Sequence, residues 1–93
     1  MKIIYDDMVI KVPNRDKNGS MIYDTDDIDI FCEYEEKYNM AVLRANRTGL
    51  IAIAKICLQL ANSTDDIIHA ELDEFNYFEK NSIGLSIEKK NNS

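Results

Sequence analysis

The sequence has no tryptophan, one proline, one histidine and two cysteines, and each of these scarcities narrows the chemistry it can support. With a single histidine and no Gly-x-Ser-x-Gly motif, the chain offers little for histidine-assisted nucleophilic catalysis. The paired Cys and His ligands that usually hold a structural zinc are missing from the sequence as well. Cys32 and Cys57 have no Cys-x-x-Cys spacing, and both occupy positions that belong to the apolar periodic pattern of their segment. We therefore predict that both are small buried hydrophobic residues. No cofactor is predicted.

Long apolar runs and basic residues are also scarce. No run approaches the roughly 18 apolar residues of a membrane span. The start, Met1 to Asp7, is too short and too charged for a signal peptide, so we expect a cytoplasmic protein. Basic residues number 11 against 17 acidic ones, and the formal net charge is −6. This balance argues against a nucleic acid or an anionic membrane as partner, and it favours either a basic protein partner or simple solubility.

A length of 93 residues predicts one domain. Alternating apolar residues predict strands through residues 1–45, and Pro13 ends the first of them. Asn18-Gly19 suits a tight hairpin turn, and residues 35–37 read as a second turn. The predicted strands of this half are residues 2–12, 21–23, 28–34 and 38–45. One face of the third strand is made of Ile28, Ile30, Cys32 and Tyr34.

A helix is predicted over residues 46–62, with Asn46 as the N-cap because its side chain can accept a hydrogen bond from a first-turn amide. Gly49 in the first turn lowers helix propensity by about 1 kcal/mol, and it therefore suggests close packing, for example against a strand. Helical spacing predicts an inward stripe of Leu50, Ile53, Ala54, Cys57, Leu58 and Ala61. Further apolar residues, Ile51, Ile56 and Leu60, widen this face, so the helix is either covered on more than one side or meets a partner.

The apolar period changes to two after the helix, which predicts two strands within residues 66–89. Ile68, Ala70 and Leu72 point inward in the first strand, and Ile83, Leu85 and Ile87 belong to the last. Residues 74–82 form the turn between them. Because the links are short, we predict an α+β fold, a mostly antiparallel sheet with one main helix packed on one face.

Acidic residues are the best candidates for a functional site. The segment from Asp24 to Glu36 has seven acids and no base, and a second group surrounds His69. One interpretation is a solvated surface, and the other is a face complementary to a basic protein, with Phe31, Tyr34, Phe75 and Tyr77 as aromatic anchors or as core. The predicted partner-binding residues are Asp24, Asp26, Asp27, Asp29, Glu33, Glu71, Asp73 and Glu74.

Four segments in the second half of the chain carry a family resemblance. They are Ala45-Asn46-Arg47-Thr48-Gly49-Leu50, Ala54-Lys55-Ile56-Cys57-Leu58-Gln59-Leu60-Ala61, His69-Ala70-Glu71-Leu72-Asp73 and Ser82-Ile83-Gly84-Leu85-Ser86-Ile87-Glu88-Lys89. In order and spacing they resemble the bacterial polymorphic-toxin immunity proteins of the immunity protein 32 family. That family has a Gly-Leu helix start, an L-A-x-x-L-x-x-L-A helix, an H-x-x-L-D strand and a last strand with x-S-x-x-L-x-I-E-K. The family often has a Pro/Gly-containing link before the histidine strand, where this chain has residues 63–67, Ser-Thr-Asp-Asp-Ile.

The resemblance implies a non-enzymatic antitoxin that binds and neutralises a cognate protein toxin in the cytoplasm of the producing cell. Two alternatives stay open at this point. One is a homodimeric interaction module that uses the broad helix face. The other is a small enzyme or metal protein centred on His69, Glu71 and Asp73, which share one strand face.

Overall fold

The computed structural model describes residues 2–11, 27–62 and 69–90. The elements in these ranges are β1 (Lys2–Tyr5), β2 (Met8–Lys11), β3 (Ile30–Glu35), a short 3-10 turn (Glu36–Tyr38), β4 (Met40–Ala45), α1 (Arg47–Asn62), β5 (His69–Leu72) and β6 (Leu85–Glu88). The strands pair as antiparallel neighbours, β1 with β2, β3 with β4 and β5 with β6. This arrangement is an α+β fold, and the predicted class is confirmed.

The first strand is where the sequence prediction was wrong. Residues 2–12 do not form one strand, because the chain reverses at Asp6-Asp7 and Lys2 pairs with Lys11. Both aspartates have positive φ, 47° and 67°, which is the backbone of a two-residue hairpin turn that matches the twist of the flanking strands. Aspartate tolerates this region better than most residues. The predicted Asn18-Gly19 turn and the strand at 21–23 lie outside the described residues.

The next two strands, β3 and β4, were predicted correctly apart from their ends. They run in register from Ile30 opposite Ala45 to Glu35 opposite Met40. The predicted turn between them is the 3-10 turn, and Asn39 closes it in the left-handed region with φ of 50°. Ile30 and Cys32 are buried as expected, whereas Tyr34 at the far end of the same face is 52% exposed.

Asn46 joins the start of α1 to the segment that leads into β3. Its Oδ1 accepts hydrogen bonds from the Gly49 amide at 2.8 Å and from the Asp29 amide at 3.2 Å. Its Nδ2 donates to the Asp27 carbonyl at 2.7 Å. The predicted N-cap is confirmed, and one side chain both accepts a hydrogen bond from a helix amide and ties the helix start to residues 27 and 29, just before β3.

Gly49 explains how closely α1 approaches the β3–β4 pair. A Cβ atom at this position would lie 2.7 Å from Ile30 Cγ1, 3.0 Å from the Asp29 carbonyl oxygen and 3.1 Å from Ala45 Cβ. Real Cβ atoms do not come this close to a side chain, so only glycine fits without a shift of its neighbours. The expectation of close packing at Gly49 is confirmed, with Ile30 of β3 as the main neighbour.

The buried face of α1 differs from the predicted stripe. Its buried residues are Gly49, Ala52, Ile56, Gln59 and Leu60, with Ile53 partly buried against them. Four residues of the predicted stripe are exposed instead, and we call them the α1 stripe: Leu50, Ala54, Cys57 and Ala61. The prediction that Cys57 is buried was therefore wrong, and that for Cys32 was correct. The tight contact at Gly49 rotates the helix so that Gly49, rather than Leu50, faces the core.

The core lies between α1 and the inner sides of β3 and β5. Its buried members are Ile30, Cys32, Ile56, Leu60, Ala70, Leu72 and Phe78. Of the three residues predicted to point inward, Ala70 and Leu72 do so, and Ile68 lies outside the described residues. Ile83 is 42% exposed and does not join the core. Leu85 and Ile87 of β6 are partly buried against this cluster. The helix thus packs on one face of the strands, as the sequence predicts.

Residues 79–83 close the second edge of β3. The Glu79 amide donates to the Ile30 carbonyl and the Ile83 amide donates to the Cys32 carbonyl, both at 2.8 Å. The Cys32 amide donates to Ser82 Oγ at 3.2 Å. β3 is therefore hydrogen-bonded on both sides, to β4 and to the segment that leads into β6. In the described part of the chain, no helix has the length and apolar character needed to cross a bilayer.

Candidate functional site

The side of the β3–β4 pair that points away from the core is the candidate surface. Successive side chains of a strand alternate between faces, so the residues that follow the buried Ile30 and Cys32 in sequence lie on the other side. We call this side the outer face. It consists of Phe31, Glu33 and Glu35 on β3, and of Met40, Val42 and Arg44 directly opposite on β4.

Apolar residues occupy part of the outer face. Phe31 and Val42 are half-buried, and Met40 is 57% exposed although it is a large hydrophobic residue. Exposed or half-exposed apolar groups surrounded by charges are typical of protein-binding surfaces, where aromatic residues and methionine are enriched. The outer face therefore combines apolar contact area with carboxylates.

The single base of the outer face, Arg44, is paired with Glu33. Arg44 Nη1 donates to Glu33 Oε1 across the strand pair, and this hydrogen bond raises the pKa of Arg44. Both side chains are solvent-accessible, 59% for Arg44 and 34% for Glu33. Exposed ion pairs contribute only about 0–1 kcal/mol to stability. Such a pair can exchange for charges of a bound protein at little cost.

A shallow, open groove of about 400 Å³ lies at the start of β3, beside the outer face. Its lining residues are Asp29, Phe31, Arg44, Ala45, Asn46 and Glu79. The carboxyl groups of Asp29 and Glu79 are hydrogen-bonded to each other, and this bond raises the pKa of Glu79. Two carboxyls held together share a proton more readily than separated ones because their negative charges repel. A cation placed between them would relieve this repulsion.

The structure separates the predicted acidic residues into groups. Asp29 and Glu33 lie beside the groove and on the outer face, and the exposed Asp27 adjoins them, with its carbonyl bound to Asn46. Glu71 is exposed on β5 and faces away from the core. Asp24 and Asp26 lie outside the described residues.

Asp73 and Glu74 have local bonds that the sequence did not reveal. Asp73 Oδ1 accepts from the Phe75 amide at 2.9 Å, and Asn76 Oδ1 accepts from the Asp73 amide at 2.8 Å. Glu74 Oε2 accepts from the Asn81 amide at 2.7 Å. These carboxylates therefore hold the turn between β5 and β6, in the manner of Asx turns. Their binding to a partner stays a prediction.

The His69 cluster is sparse. His69 Nε2 lies 3.9 Å from Glu71 Oε1, and both side chains are more than half exposed. Within the three described ranges, no group of three or more His, Cys, Asp or Glu side chains converges as metal ligands do. The enzymatic or metal-binding alternative gains no support from this geometry.

Sequence reasoning missed Arg44, Glu35 and Glu79 as members of the surface. Arg44 could have been found from the hairpin register, since a turn at 36–39 places it opposite Phe31 and beside Glu33. No sequence pattern could have predicted Glu79 as part of this surface. Its amide donates to the carbonyl of Ile30, which is far away in sequence, and this bond brings Glu79 close to Asp29. Phe75, offered as an anchor, is 89% exposed in the turn, and Tyr77 packs against the core.

No known family model, no curated protein and no solved structure matches this chain. The resemblance to the immunity protein 32 family therefore stays a prediction that depends on the four segments of the second half of the chain. The structural observations that bear on function are therefore the outer face and its groove.

Proposed function

We propose that the protein is an immunity protein, a non-enzymatic antitoxin that binds a cognate protein toxin and blocks it by covering a basic surface. The observation that carries the proposal is the outer face with its adjoining groove. Around Phe31, Val42 and Met40 stand the carboxyl groups of Asp29, Glu33, Glu35 and Glu79, with Arg44 as the one base among these residues. The family resemblance supplies the toxin as the class of partner.

Binding would begin with electrostatic attraction. A surface with this excess of negative charge attracts a basic protein and raises the association rate, and salt weakens the effect. Toxins that act on nucleic acids need basic surfaces to hold their substrate. An acidic protein docked on such a surface would exclude the substrate directly. No catalytic step is required of the antitoxin.

The groove gives the docked state a specific contact. A lysine or arginine of the toxin can lay its aliphatic stem along Phe31 and place its charge between Asp29 and Glu79. The hydrogen bond to Asp29 raises the pKa of Glu79, and a cation beside Glu79 would favour its ionised form. Affinity should therefore rise with pH through the raised pKa of Glu79 and weaken below it.

The test is co-expression of the chain with the product of the gene immediately upstream, with growth rescue and a stable stoichiometric complex as readouts. The double variant Asp29→Asn, Glu33→Gln should slow association by about tenfold or more at low salt, because long-range attraction depends on these charges. Glu88→Gln on β6 is the control for loss of a single exposed charge that does not belong to the outer face. Its association rate should change far less.

Circular dichroism and the urea midpoint check that the variants keep their fold. A complex that forms at the same rate with the double variant would remove the outer face from the proposal. Absence of both a complex and growth rescue with the upstream product would overturn the proposed antitoxin function.

A further inference from the structure

The two edges of the β3–β4 pair differ in how their backbone groups are used. On the β3 side, residues 79–83 bind the carbonyls of Ile30 and Cys32, and Ser82 Oγ accepts from the Cys32 amide. On the β4 side, no strand pairs with the free edge among the residues that the structure describes. Within the described ranges, β4 is therefore the outermost strand of this pair, and its outward backbone groups face away from the fold.

The hydrogen bonds at the end of the pair identify the outward groups of β4. The Asn46 amide donates to the Asp29 carbonyl at 2.9 Å, one position beyond the register pair of Ala45 and Ile30. Because backbone groups alternate in direction along an antiparallel strand, every second residue of β4 directs its N–H and C=O away from β3. We call these residues the β4 edge: Ala41, Leu43 and Ala45. Their opposite residues on β3 agree, since Ile30 and Cys32 turn their carbonyls to residues 79–83.

The β4 edge lacks the features that usually protect an outer strand from pairing. The strand contains no proline and no lysine, and its six residues pair with β3 without a bulge. Its single charged residue, Arg44, is held by Glu33 of β3, so this charge is directed away from the edge. Natural sheets use such features because exposed backbone groups pair readily with other chains. A strand without them is suited to accept a partner strand.

We infer that an extended segment of the toxin pairs with the β4 edge as an additional strand, next to the outer face. This inference rests on the proposed antitoxin function, which supplies the toxin as the partner. A row of N–H and C=O groups that repeats about every 6.8 Å is matched as a whole only by another extended backbone. The edge therefore specifies the conformation of the segment that binds to it.

The two faces of the strand pair specify the side chains of the added strand. On the outer side its residues would lie beside Met40 and Val42, with Glu35 and Glu33 behind them on β3. Neighbouring strands lie about 4.8 Å apart, so a lysine or arginine of the added strand can cross the apolar side chain and reach a carboxylate two strands away. On the inner side, apolar residues would extend the packing of Leu43 against the core. We expect a segment that alternates basic and apolar residues.

Arg44 limits this pattern at one position. It is the third outer-face residue of β4, and a like charge directly beside it on the added strand would be destabilising. The segment should therefore carry its basic residues beside Met40 and Val42, and a neutral or acidic residue beside Arg44.

Amide hydrogen exchange of the full chain, alone and bound to the product of the upstream gene, tests the inference. In the free chain the Ala41 and Leu43 amides should exchange fast, whereas those of Val42 and Arg44, which face β3, should be protected. In the complex, exchange at Ala41 and Leu43 should slow by at least about tenfold, as a new backbone hydrogen bond implies. Fast exchange at both positions in a stable complex would overturn the inference and leave the antitoxin function standing. Protection of both in the free chain would also overturn it, because the edge would already be occupied.

The variant Ala41→Pro gives a second measurement. Because the Ala41 amide points away from β3, proline removes one donor of the β4 edge and keeps the bonds between β3 and β4. Ala41→Val is the comparison at the same position, since valine keeps the amide and suits a strand. The complex of the proline variant should have a dissociation constant at least about tenfold above that of the valine variant. Protected Val42 and Arg44 amides in both variants show that the strand pair is intact.

Equal dissociation constants of the two variants would overturn the inference while the complex itself still supports an antitoxin. If the upstream product does not bind the parent chain at all, the proposed function fails and the inference fails with it. Should the proline variant not fold, the exchange measurement on the unmodified chain still decides.

Discussion

The two sides of α1 have the same apolar character and opposite environments. Leu60 on the core side is 4% exposed, whereas Leu50 on the other side is 52% exposed. Composition and helical period alone predict that the stripe containing Leu50 is buried, whereas the structure buries the opposite side of the helix. The difference teaches that local contacts at the helix start set its rotation. The contact of Gly49 with Ile30 and the hydrogen bonds of Asn46 to residues 27 and 29 fix which side faces inward.

The largest expected effect compares the same substitution on both sides of α1. Leu60→Ala should lower the free energy of unfolding by about 2–5 kcal/mol, because it leaves a cavity beside Ile56 and Leu72. Leu50→Ala should cost less than about 1 kcal/mol, because half of that side chain is already in water. Urea unfolding measures both. Equal losses would contradict a helix rotation that buries Leu60 and exposes Leu50.

Gly49→Ala tests the tight contact at the helix start by whether it raises or lowers the free energy of unfolding. On helix propensity alone this change stabilises by about 1 kcal/mol. We expect a net loss of about 1–2 kcal/mol instead, since the added methyl group overlaps Ile30 and the Asp29 carbonyl. Thermal and urea unfolding decide the sign, and Thr48→Ala on the exposed side is the control. A more stable Gly49→Ala protein would be incompatible with the tight contact.

Asn46→Ala should cost about 0.5–2 kcal/mol, because the first-turn amide of Gly49 loses its acceptor. Asn46→Ser keeps a capping hydroxyl but loses the donor to the Asp27 carbonyl. Its loss in urea unfolding should be intermediate. If serine restores full stability, the bond to residue 27 contributes nothing, and the cap alone positions the helix.

The smallest effect concerns the carboxyl pair of Asp29 and Glu79. The pKa of Glu79 is raised by its hydrogen bond to Asp29, so the folded state holds that proton more tightly than the unfolded state. The resulting stability is present at pH below the ordinary glutamate pKa and is lost as pH rises through the raised value. Asp29→Asn should bring the pKa of Glu79 back towards its ordinary range, as carboxyl-carbon NMR titration would show. An unchanged titration would argue against the pairing.

The sequence predicted the features that depend on short-range chemistry. The Asn46 cap, the close contact at Gly49 and the alternation of β3 and β5 all follow from residue types and spacing. The Asp6-Asp7 turn was not predicted, because two aspartates are an uncommon sequence for a turn with positive φ. The apolar residues on both sides of the pair resembled one continuous strand. The rotation of α1 was missed because both of its sides are apolar.

Part of the candidate surface could also be predicted from residue types and spacing. Asp29 and Glu33 share a strand phase with Phe31, so their common face follows from alternation. The roles of Asp73 and Glu74 in their turn, and the place of Glu79 beside Asp29, depend on the folded path of residues 73–83. Acidic residues that look alike in the sequence therefore separate into turn caps and surface charges only in the structure.

The bonds from residues 79–83 to β3 also constrain the order of events during synthesis. The partners Cys32 and Ser82 are 50 positions apart, whereas β3 and β4 form a local hairpin. On the ribosome, β3, β4 and α1 emerge well before the segment that completes the far edge of β3. Until residue 83 is available, the Ile30 and Cys32 carbonyls on that edge lack the amides that bind them in the finished fold. The nascent chain thus passes through an interval with an open strand edge, in which chaperone binding or aggregation competes with completion of the core.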